Sequence, residues 1–303
     1  MSEEIELRHL RYFLAVADAL HFTRAAQQLK IAQPALSQQI RRLEDLLGHP
    51  LFLRTTRGVQ LTPAGEVLAE RARTTLARVE DDLAQVRRVG RGEEGTLSVG
   101  FSGSVMFTEL PAAIRRFRKR YPKVELQLRE MWTSAQVEAL RDGSLDLGFL
   151  RDGEGNEGLV TRTMLRERFV AVLPERHPLA AKKTLRVADL KGEPFILFSR
   201  VMGPLAYDRT MACCEQAGFV PEIVQFAPQF PTLFRLVAAG IGVSLAPSCM
   251  ARLSVPGAVY REVRSAARST VDLAMRTGFA SPLADNFIAL LRTQIGQREG
   301  DGK

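Results

Sequence analysis

The spacing of apolar residues predicts that the first ninety residues are mostly helical. A first helix is expected at residues 7–19, and two more follow between Phe22 and Gly48, joined by a tight turn at residues 30–32. The last of the three carries an apolar stripe with spacings of four, three and four, formed by Leu36, Ile40, Leu43 and Leu47. The first should pack on the other two through Leu7, Leu10, Phe13, Leu14 and Ala17. This pattern is typical of a helix-turn-helix.

The ends of the second and third helices carry capping signals. Thr23 is expected to cap the second helix, Pro34 to begin the third, and Gly48 to end it in the left-handed conformation. The face opposite the apolar stripe is expected to present Gln33, Ser37, Gln38, Arg41 and Arg42. Amide and guanidinium groups bond base edges and hydroxyls hold phosphate, so this face suits the DNA major groove. The alternative is an ordinary amphipathic helix with a solvated polar face.

Two short β-prone runs after Gly48 predict a hairpin wing. They lie at residues 51–54 and 59–61, with the turn at residues 55–58 between them. Arg54 and Arg57 are placed on this hairpin to reach the phosphate backbone or a minor groove. The helices and the hairpin together make a winged-helix unit.

A long helix is expected to begin at Thr62 and Pro63. Its apolar positions repeat with alternating spacings of four and three, at Gly65, Ala69, Ala72, Leu76, Val79, Leu83 and Val86. A sustained heptad seam predicts a helix that buries its apolar face against a partner chain. A dimer would set the separation of two DNA-reading helices. The alternative is that the seam packs on the chain's own domains.

A polar, glycine-rich hinge at residues 90–95 precedes a segment in which strands and helices alternate. Strands are expected at residues 96–101, 124–130, 145–150, 168–174, 195–198, 243–247 and 271–277. Helices are expected between them, for instance at residues 107–121, 135–142 and 282–295. This order predicts an α/β architecture with a mainly parallel sheet. About two hundred residues is long for one such sheet, which favours two lobes with a ligand cleft between them.

Composition narrows the choice of partner and compartment. The chain has 303 residues, a formal net charge of +8 and a pI near 9.8, which favours a polyanionic partner. Cys213, Cys214 and Cys249 are too few for a disulfide framework, so we expect reduced thiols in a cytoplasmic protein. The sequence shows no secretory signal and no membrane-spanning run, and no metal-ligand spacing surrounds the cysteines.

Two other functions compete with ligand-dependent DNA binding. An α/β enzyme with an N-terminal docking domain is disfavoured, because no GxSxG, P-loop or HExxH motif is present and Gly240-Ile241-Gly242 lacks the rest of a dinucleotide fingerprint. An architectural DNA-binding protein would not need a two-lobed domain with a cleft. We therefore expect no catalytic residue and no cofactor.

Residues 7–65 closely resemble the DNA-binding domain of LysR-type transcriptional regulators. The resemblance rests on FTRAAQQL, AQPALSQQIRRLEDLLG and LFLRTTRGVQLTPAG in combination. Within that family, VGFSGSVMFTELP, EMWTSAQVEALRDGSLDLGFLR and LVAAGIGVSLAP resemble the branch that controls catabolism of aromatic compounds, whose effectors include muconates and benzoate. Regulators of other pathways share much of this framework, so a non-aromatic pathway and a regulator without an effector stay open as alternatives.

The resemblance implies a winged helix-turn-helix at residues 1–62, a dimerising linker helix at 63–91 and a periplasmic-binding-protein-like effector domain at 92–303. Its first lobe would comprise about residues 96–165 and 268–295, and its second about 166–267. The resemblance also implies a homotetramer, assembled as a dimer of dimers, that binds and bends double-stranded promoter DNA. An effector in the cleft would alter that bend and let RNA polymerase start transcription.

The resemblance also implies the DNA-contacting residues. Gln33, Pro34, Ser37 and Gln38 correspond to base and phosphate contacts of the recognition helix, and Arg54 to a wing contact. Thr23, Arg24, Arg41 and Arg57 are candidate contacts beside them. Many relatives have arginine where this chain has Gln38, and glutamine would favour adenine over guanine.

The residues themselves predict an anion site in the cleft. Ser102-Gly103-Ser104 and Thr133 each stand where a strand turns into a helix, and residues 133–136 are interpreted as a capping box. Helix N-termini and hydroxyls attract anions, which favours a small carboxylate effector. Arg151, at a strand end, is expected to pair with that carboxylate or with an acidic residue across the cleft. The family resemblance implies that Pro204 lines the second lobe. The alternative for each serine or threonine is plain helix capping.

Overall fold

The computed structural model describes residues 4–55, 58–153 and 156–301. The chain divides into two compact units, and the boundary falls between Arg88 and Val89. Within the described part of the chain, no helix combines the length and the apolar character needed to cross a membrane.

The first unit contains the three helices and the wing that the sequence predicts. Its first elements are α1 (Leu7–Ala19), α2 (Phe22–Leu29), α3 (Gln33–Leu47), β1 (Phe52–Thr55) and β2 (Gly58–Leu61). The two strands pair antiparallel, with Arg54 opposite Val59. Residues 56 and 57 lie outside the described residues, and Arg57 is one of them.

Aromatic contacts hold the wing against the helices. The ring of Phe52, at the start of β1, lies 5.3 Å from the ring of Phe13 and 5.8 Å from that of Phe22. The wing is also tied to α3, because Glu44 Oε1 accepts hydrogen bonds from Leu51 N at 2.8 Å and from Phe52 N at 3.2 Å. Sequence reasoning missed Glu44, which has no signal beyond an acidic residue near the end of α3.

Two residues expected in the apolar core are exposed instead. Leu7 and Leu47 stand at the first turn of α1 and the last turn of α3, where neighbouring helices no longer cover them. His9 is fully buried in α1, and its Nδ1 accepts a hydrogen bond from Glu6 N at 2.9 Å. The apolar face of α1 is therefore shorter than the spacing predicts.

The capping of α2 also differs from the prediction. His21 is the N-cap, and its Nδ1 accepts a hydrogen bond from Arg24 N at 3.4 Å. Thr23 lies inside the first turn, exposed, so it does not cap the helix. Pro34 is the second residue of α3 rather than the first, a position that the missing N–H still suits. Gly48 ends α3 with φ of 71°, as predicted.

Helix α4 (Pro63–Gly90) packs its first half on its own unit. Gly65 N donates to Thr62 Oγ1 at 2.9 Å, which confirms the predicted cap. A Cβ at Gly65 would lie 2.2 Å from the carbonyl oxygen of Leu51, so only glycine lets the helix cross the start of the wing. Ala69 and Ala72 are buried there too. The prediction that the seam is buried against a partner chain is therefore wrong for this half.

The second unit contains two lobes, as the length of the α/β segment predicts. Lobe I comprises β3 (Glu94–Phe101), α5 (Leu110–Arg120), β4 (Lys123–Glu130), α6 (Thr133–Asp142), β5 (Leu147–Arg151), β6 (Leu159–Glu167), β13 (Ser269–Arg276) and α9 (Pro282–Asp301). Its five-stranded sheet has the order β4-β3-β5-β13-β6. A 3-10 turn, Gly103–Phe107, follows β3.

Lobe II is built around two smaller sheets. It comprises β7 (Phe169–Pro174), β8 (Thr184–Arg186), β9 (Pro194–Leu197), α7 (Pro204–Glu215), β10 (Glu222–Phe226), α8 (Phe230–Ala238), β11 (Ser244–Pro247) and β12 (Ala258–Arg264). The sheets have the orders β11-β7-β12-β8 and β10-β9. The chain passes between the lobes twice, at residues 167–169 and 264–269, which we call the crossing segments.

The sheets are mixed rather than mainly parallel, so that prediction is wrong. In lobe I, β3 pairs parallel with β4 and β5, whereas β13 pairs antiparallel with both β5 and β6. In lobe II, β7 pairs antiparallel with β11 and β12. The returning strand β13 runs opposite to its neighbours because the chain re-enters lobe I from the far end of the sheet.

Candidate DNA-binding and effector sites

The exposed face of α3 presents several of the residues expected to contact DNA. Gln33, Pro34, Gln38 and Arg41 are exposed on α3, and Thr23 and Arg24 are exposed in the first turn of α2. The side chain of Arg54 lies outside the described residues. The helix therefore carries amide and guanidinium donors outward, the chemistry that reads base edges.

Ser37 does not project from that face, which corrects the prediction. It is only 6% exposed, because it follows Leu36 and stands three residues before Ile40, at the edge of the buried stripe. Its Oγ accepts a hydrogen bond from Gln33 Nε2 at 2.9 Å. In this structure Ser37 orients the Gln33 amide.

In lobe I the two predicted strand-to-helix turns come together. Ser102 Oγ lies 3.4 Å from Thr133 Oγ1. Gln136 Nε2 donates to the carbonyl of Met131 at 2.9 Å and to Ser102 Oγ at 3.3 Å. Because Gln136 donates to the Ser102 oxygen and Thr133 Oγ1 donates to the carbonyl of Arg151, Ser102 is the donor in its hydroxyl pair with Thr133.

Helix α6 begins without the predicted capping box. Its N-cap is Trp132, Thr133 is the first helical residue, and Gln136 is fully buried. The first helical hydrogen bond runs from Gln136 N to Trp132 O at 2.9 Å. The N–H groups of residues 133–135 precede it, so they have no carbonyl acceptor within the helix.

One contact joins the two lobes beside these groups. Ser134 Oγ donates to the carbonyl of Met202, in lobe II, at 3.4 Å. Pro204 stands two residues later, exposed, as the first residue of α7. The N-termini of α6 and α7 therefore lie on either side of this contact.

Ser104 and Arg151 occupy a buried cluster away from Ser102. The Arg151 guanidinium donates to Ser104 Oγ at 3.1 Å, to Glu167 Oε2 at 2.6 Å and to Cys249 Sγ at 3.5 Å. Of the two partners expected for Arg151, the structure provides the acidic residue, and Glu167 lies at a crossing segment. The guanidinium N–H groups of Arg151 are committed to protein acceptors, so neither Arg151 nor Ser104 is available to the effector.

Gly103 is also a poor effector contact. A Cβ there would lie 2.5 Å from Glu130 Oε1, so a carboxylate already covers this glycine. A second carboxylate at the same place would be repelled. Ser102 and Thr133 remain the hydroxyls best placed for an anionic ligand.

Burial makes the cysteines unreactive. Desolvation by burial raises the pKa of the Cys249 thiol to about 12 and that of Cys214 to about 12, and it also raises the pKa of Cys213. We expect the folded protein to react with a disulfide reagent at pH 7.5 far more slowly than the urea-unfolded chain, because the thiolate is the attacking species. Absorbance of the released thiol checks this, and rapid labelling of the folded chain would contradict it.

Among residues 4–55, 58–153 and 156–301, no three histidine, cysteine, aspartate or glutamate side chains are placed to hold a metal ion.

Comparison with known proteins decides the family. Residues 7–66 match the "Bacterial regulatory helix-turn-helix protein, lysR family", and residues 90–296 match the "LysR substrate binding domain". The chain belongs to the LysR family. This LysR-family protein is a DNA-binding transcriptional regulator with an effector-binding domain. The family is one of regulators that are in general not enzymes.

Similar curated proteins extend over nearly the whole chain. The transcriptional regulator AlsR of Bacillus subtilis is 38% identical over 291 residues, which cover 96% of each protein. The transcriptional regulator CatR of Pseudomonas putida is also 38% identical over 291 residues, covering 96% of this chain and 99% of CatR. The predicted resemblance to the aromatic-catabolism branch of the family is confirmed.

A solved structure shares the whole fold. The LysR-family regulator CbnR matches with a TM-score of 0.84 at 28% identity, covering 95% of this chain and 100% of CbnR. Full-length CbnR complexed with its target DNA matches with a TM-score of 0.81, covering 96% of this chain. The predicted fold class, a winged helix-turn-helix followed by an α/β effector domain, is confirmed.

Proposed function

We propose that this LysR-family protein binds promoter DNA through α3 and the wing. Exposed Gln38 and Arg41 on α3 support this, together with Arg24 at the start of α2. Amide and guanidinium groups bond base edges in pairs, and an arginine on the wing would contact phosphate. The DNA complex of CbnR, a protein of the same fold, adds support.

Replacing Gln38 with alanine should weaken binding to the cognate site by about 1–3 kcal/mol and change the base preferred there, because its amide would read one base. Arg54→Ala should instead weaken binding to all DNA sequences alike. It should also reduce the slope of log affinity against log salt concentration by about one unit. Binding titrations at several salt concentrations on cognate and altered sites separate the two.

Gln216→Ala is the matched control, since Gln216 is an exposed amide in the second unit. It should leave affinity and base preference unchanged. If Gln38→Ala keeps the parent's base preference, Gln38 does not read a base.

We further propose that a small carboxylate binds in the cleft between the N-termini of α6 and α7. The observation that carries this proposal is the meeting of two hydroxyls, Ser102 and Thr133, at the first N–H groups of α6, which have no carbonyl acceptor within the helix. Donors converging on one point stabilise an anion there. Pro204, at the start of α7, would close the site from lobe II.

A thermal-shift screen of the full chain against small carboxylic acids tests this directly. An acid present at 100 times its Kd should stabilise the protein by about 2.7 kcal/mol. If no acid stabilises the parent, the carboxylate proposal is wrong, and a regulator without a small-molecule effector is favoured.

Ser102→Ala should then weaken binding of the selected acid roughly tenfold to a hundredfold, since a hydrogen bond to a charged group contributes about 1.5–3 kcal/mol. Ser144→Ala is the control, because Ser144 lies just beyond the opposite end of α6. Calorimetric titration measures both. Equal affinity of the Ser102 variant and the parent would place the carboxylate elsewhere.

The assembly belongs to the same proposal. The exposed second half of α4 would pair with a partner chain, and two such dimers would make the homotetramer that binds and bends promoter DNA. The bound effector would alter the bend and let RNA polymerase start transcription. We expect the regulator in the cytoplasm, where promoter DNA is.

A further inference from the structure

One guanidinium connects the two lobes. Arg209 lies in the second turn of α7, in lobe II. Its Nε stands 3.3 Å from Asp152 Oδ1, in lobe I. Its NH1 donates to the carbonyl of Arg268, in a crossing segment, at 2.9 Å. Arg209 therefore contacts both lobes and one of the connections between them.

Asp152 is held firmly in lobe I without Arg209. It is almost completely buried and has φ of 52°, a left-handed conformation that aspartate and asparagine tolerate better than most residues. Its carboxylate accepts hydrogen bonds from Thr270 N at 2.7 Å and from Ser269 Oγ at 3.1 Å. Removing Arg209 would leave these donors in place, so the Asp152 carboxylate would keep hydrogen-bond partners after the ion pair is lost.

Strand β5 ends at Arg151, and the backbone of Arg151 contacts Thr133 at the start of α6. Thr133 Oγ1 accepts a hydrogen bond from Arg151 N and donates one to Arg151 O, both at 3.2 Å. Asp152 is the next residue, and Arg209 joins it to α7. From Arg209 back to Pro204, five residues of α7 cover about 7.5 Å along the helix axis. The two walls of the cleft are thus connected by one short chain of contacts.

We propose that Arg209 is a positioning residue that converts effector binding into a change of the angle between the lobes. Any closure of the cleft moves the N-terminus of α7 toward α6, and α7 pivots against lobe I at the Arg209–Asp152 ion pair. Arg209 does not contact the effector. This inference rests on the proposed effector cleft, because it names the residue that transmits occupancy of that cleft.

The test compares Arg209→Gln, Arg209→Lys and Asp152→Asn in the full chain. Arg200→Gln is the matched control, because Arg200 pairs with Asp208 at 2.8 Å and 3.1 Å, and both residues belong to lobe II. Three quantities are measured: affinity for operator DNA, affinity for the acid selected by thermal shift, and the acid-dependent change of a DNA footprint.

Arg209→Gln should keep operator and acid affinities within about threefold of the parent and yet lose the footprint change, because the coupling between sites is what it removes. Arg209→Lys should restore part of the change, since an ammonium reaches Asp152 but replaces the planar fork with a point charge. The double variant Asp152→Asn/Arg209→Gln should lose no more of the acid-dependent footprint change than either single variant does.

Two results of this comparison would overturn the proposal. One is a full footprint change in Arg209→Gln. The other is an equal loss of operator affinity, acid affinity and melting temperature, which would make Arg209 merely structural.

Hydrogen exchange of the acid-free protein decides the proposal even if no acid binds. Arg209→Gln should speed exchange at the start of α7 and at residues 264–269, whereas Arg200→Gln should leave the crossing segment unchanged. Unchanged hydrogen exchange at both places in Arg209→Gln would contradict the proposal. Absence of any stabilising acid for the parent would instead count against the effector cleft alone.

Discussion

Glu167→Gln should destabilise the second unit by about 3–5 kcal/mol, because removing one partner of a buried ion pair leaves the other charge uncompensated. Arg151 NH1 and Glu167 Oε2 are 2.6 Å apart, and both side chains are only 6% exposed. Glutamine has the same shape and can still accept from Cys249 N, which donates to Glu167 Oε1 at 2.9 Å. The variant therefore removes the charge with little change in packing.

Urea unfolding followed by tryptophan fluorescence measures this effect. Trp132 is the single tryptophan of the chain and lies in the second unit, so its signal does not report the winged helix. Glu138→Gln is the control, since Glu138 pairs with Arg141 at the surface and such pairs contribute at most about 1 kcal/mol. Equal, small changes in the free energy of unfolding of the two variants would show that other groups compensate the charge of Arg151.

Leu83→Glu should weaken self-association by at least about 3 kcal/mol, or roughly a hundredfold, because it places a charge in a desolvated helical seam. Leu83 is 48% exposed and Val86 is 68% exposed, although both occupy the apolar seam of α4. The first half of that seam is buried against the chain's own first unit. The exposed second half is therefore the part that α4 of a partner chain would cover.

Sedimentation at several concentrations checks the change of mass. Arg78→Glu is the control, as an exposed polar position on the same helix. Circular dichroism confirms that the Leu83 variant is folded. A Leu83 variant that keeps the parent's mass at every concentration would show that α4 does not mediate association.

The helical half of the fold could be predicted from the sequence because its information is local. The stripe Leu36, Ile40 and Leu43 and the stop at Gly48 determine α3 within one stretch of chain. The sheets could not be predicted in the same way, since β13 pairs with β5 and β6 across more than a hundred residues. Strand β6 was missed because exposed charged residues, such as Arg162 and Arg166, interrupt its apolar pattern.

The candidate site was predictable in part for the same reason. Ser102 and Thr133 each follow a strand, and the carboxyl ends of neighbouring parallel strands meet, so their approach follows from the topology. Ser104 is only two residues further, yet the intervening 3-10 turn directs it to the buried cluster. The partner of Arg151 could not be found, since nothing in the sequence singles out Glu167 among the acidic residues.

The same limit applies to the DNA-binding face. Periodicity places Ser37 beside polar neighbours, but burial at the edge of a stripe depends on the packing around it, and Ser37 is only 6% exposed. His21 replaces Thr23 as the cap because α2 begins two residues earlier than a cap at Thr23 requires. An error of two residues at a helix end is enough to change which side chain is assigned a role.

A DNase I footprint of the full chain on a selected genomic fragment, with and without an acid that stabilises the protein, tests the central claim most directly. The account predicts a protected segment whose length or internal cleavage changes when the acid is added. Ser102→Ala should protect the same segment but show no change at that acid concentration. A footprint that no stabilising acid alters would contradict the claim that the cleft controls how this regulator holds DNA.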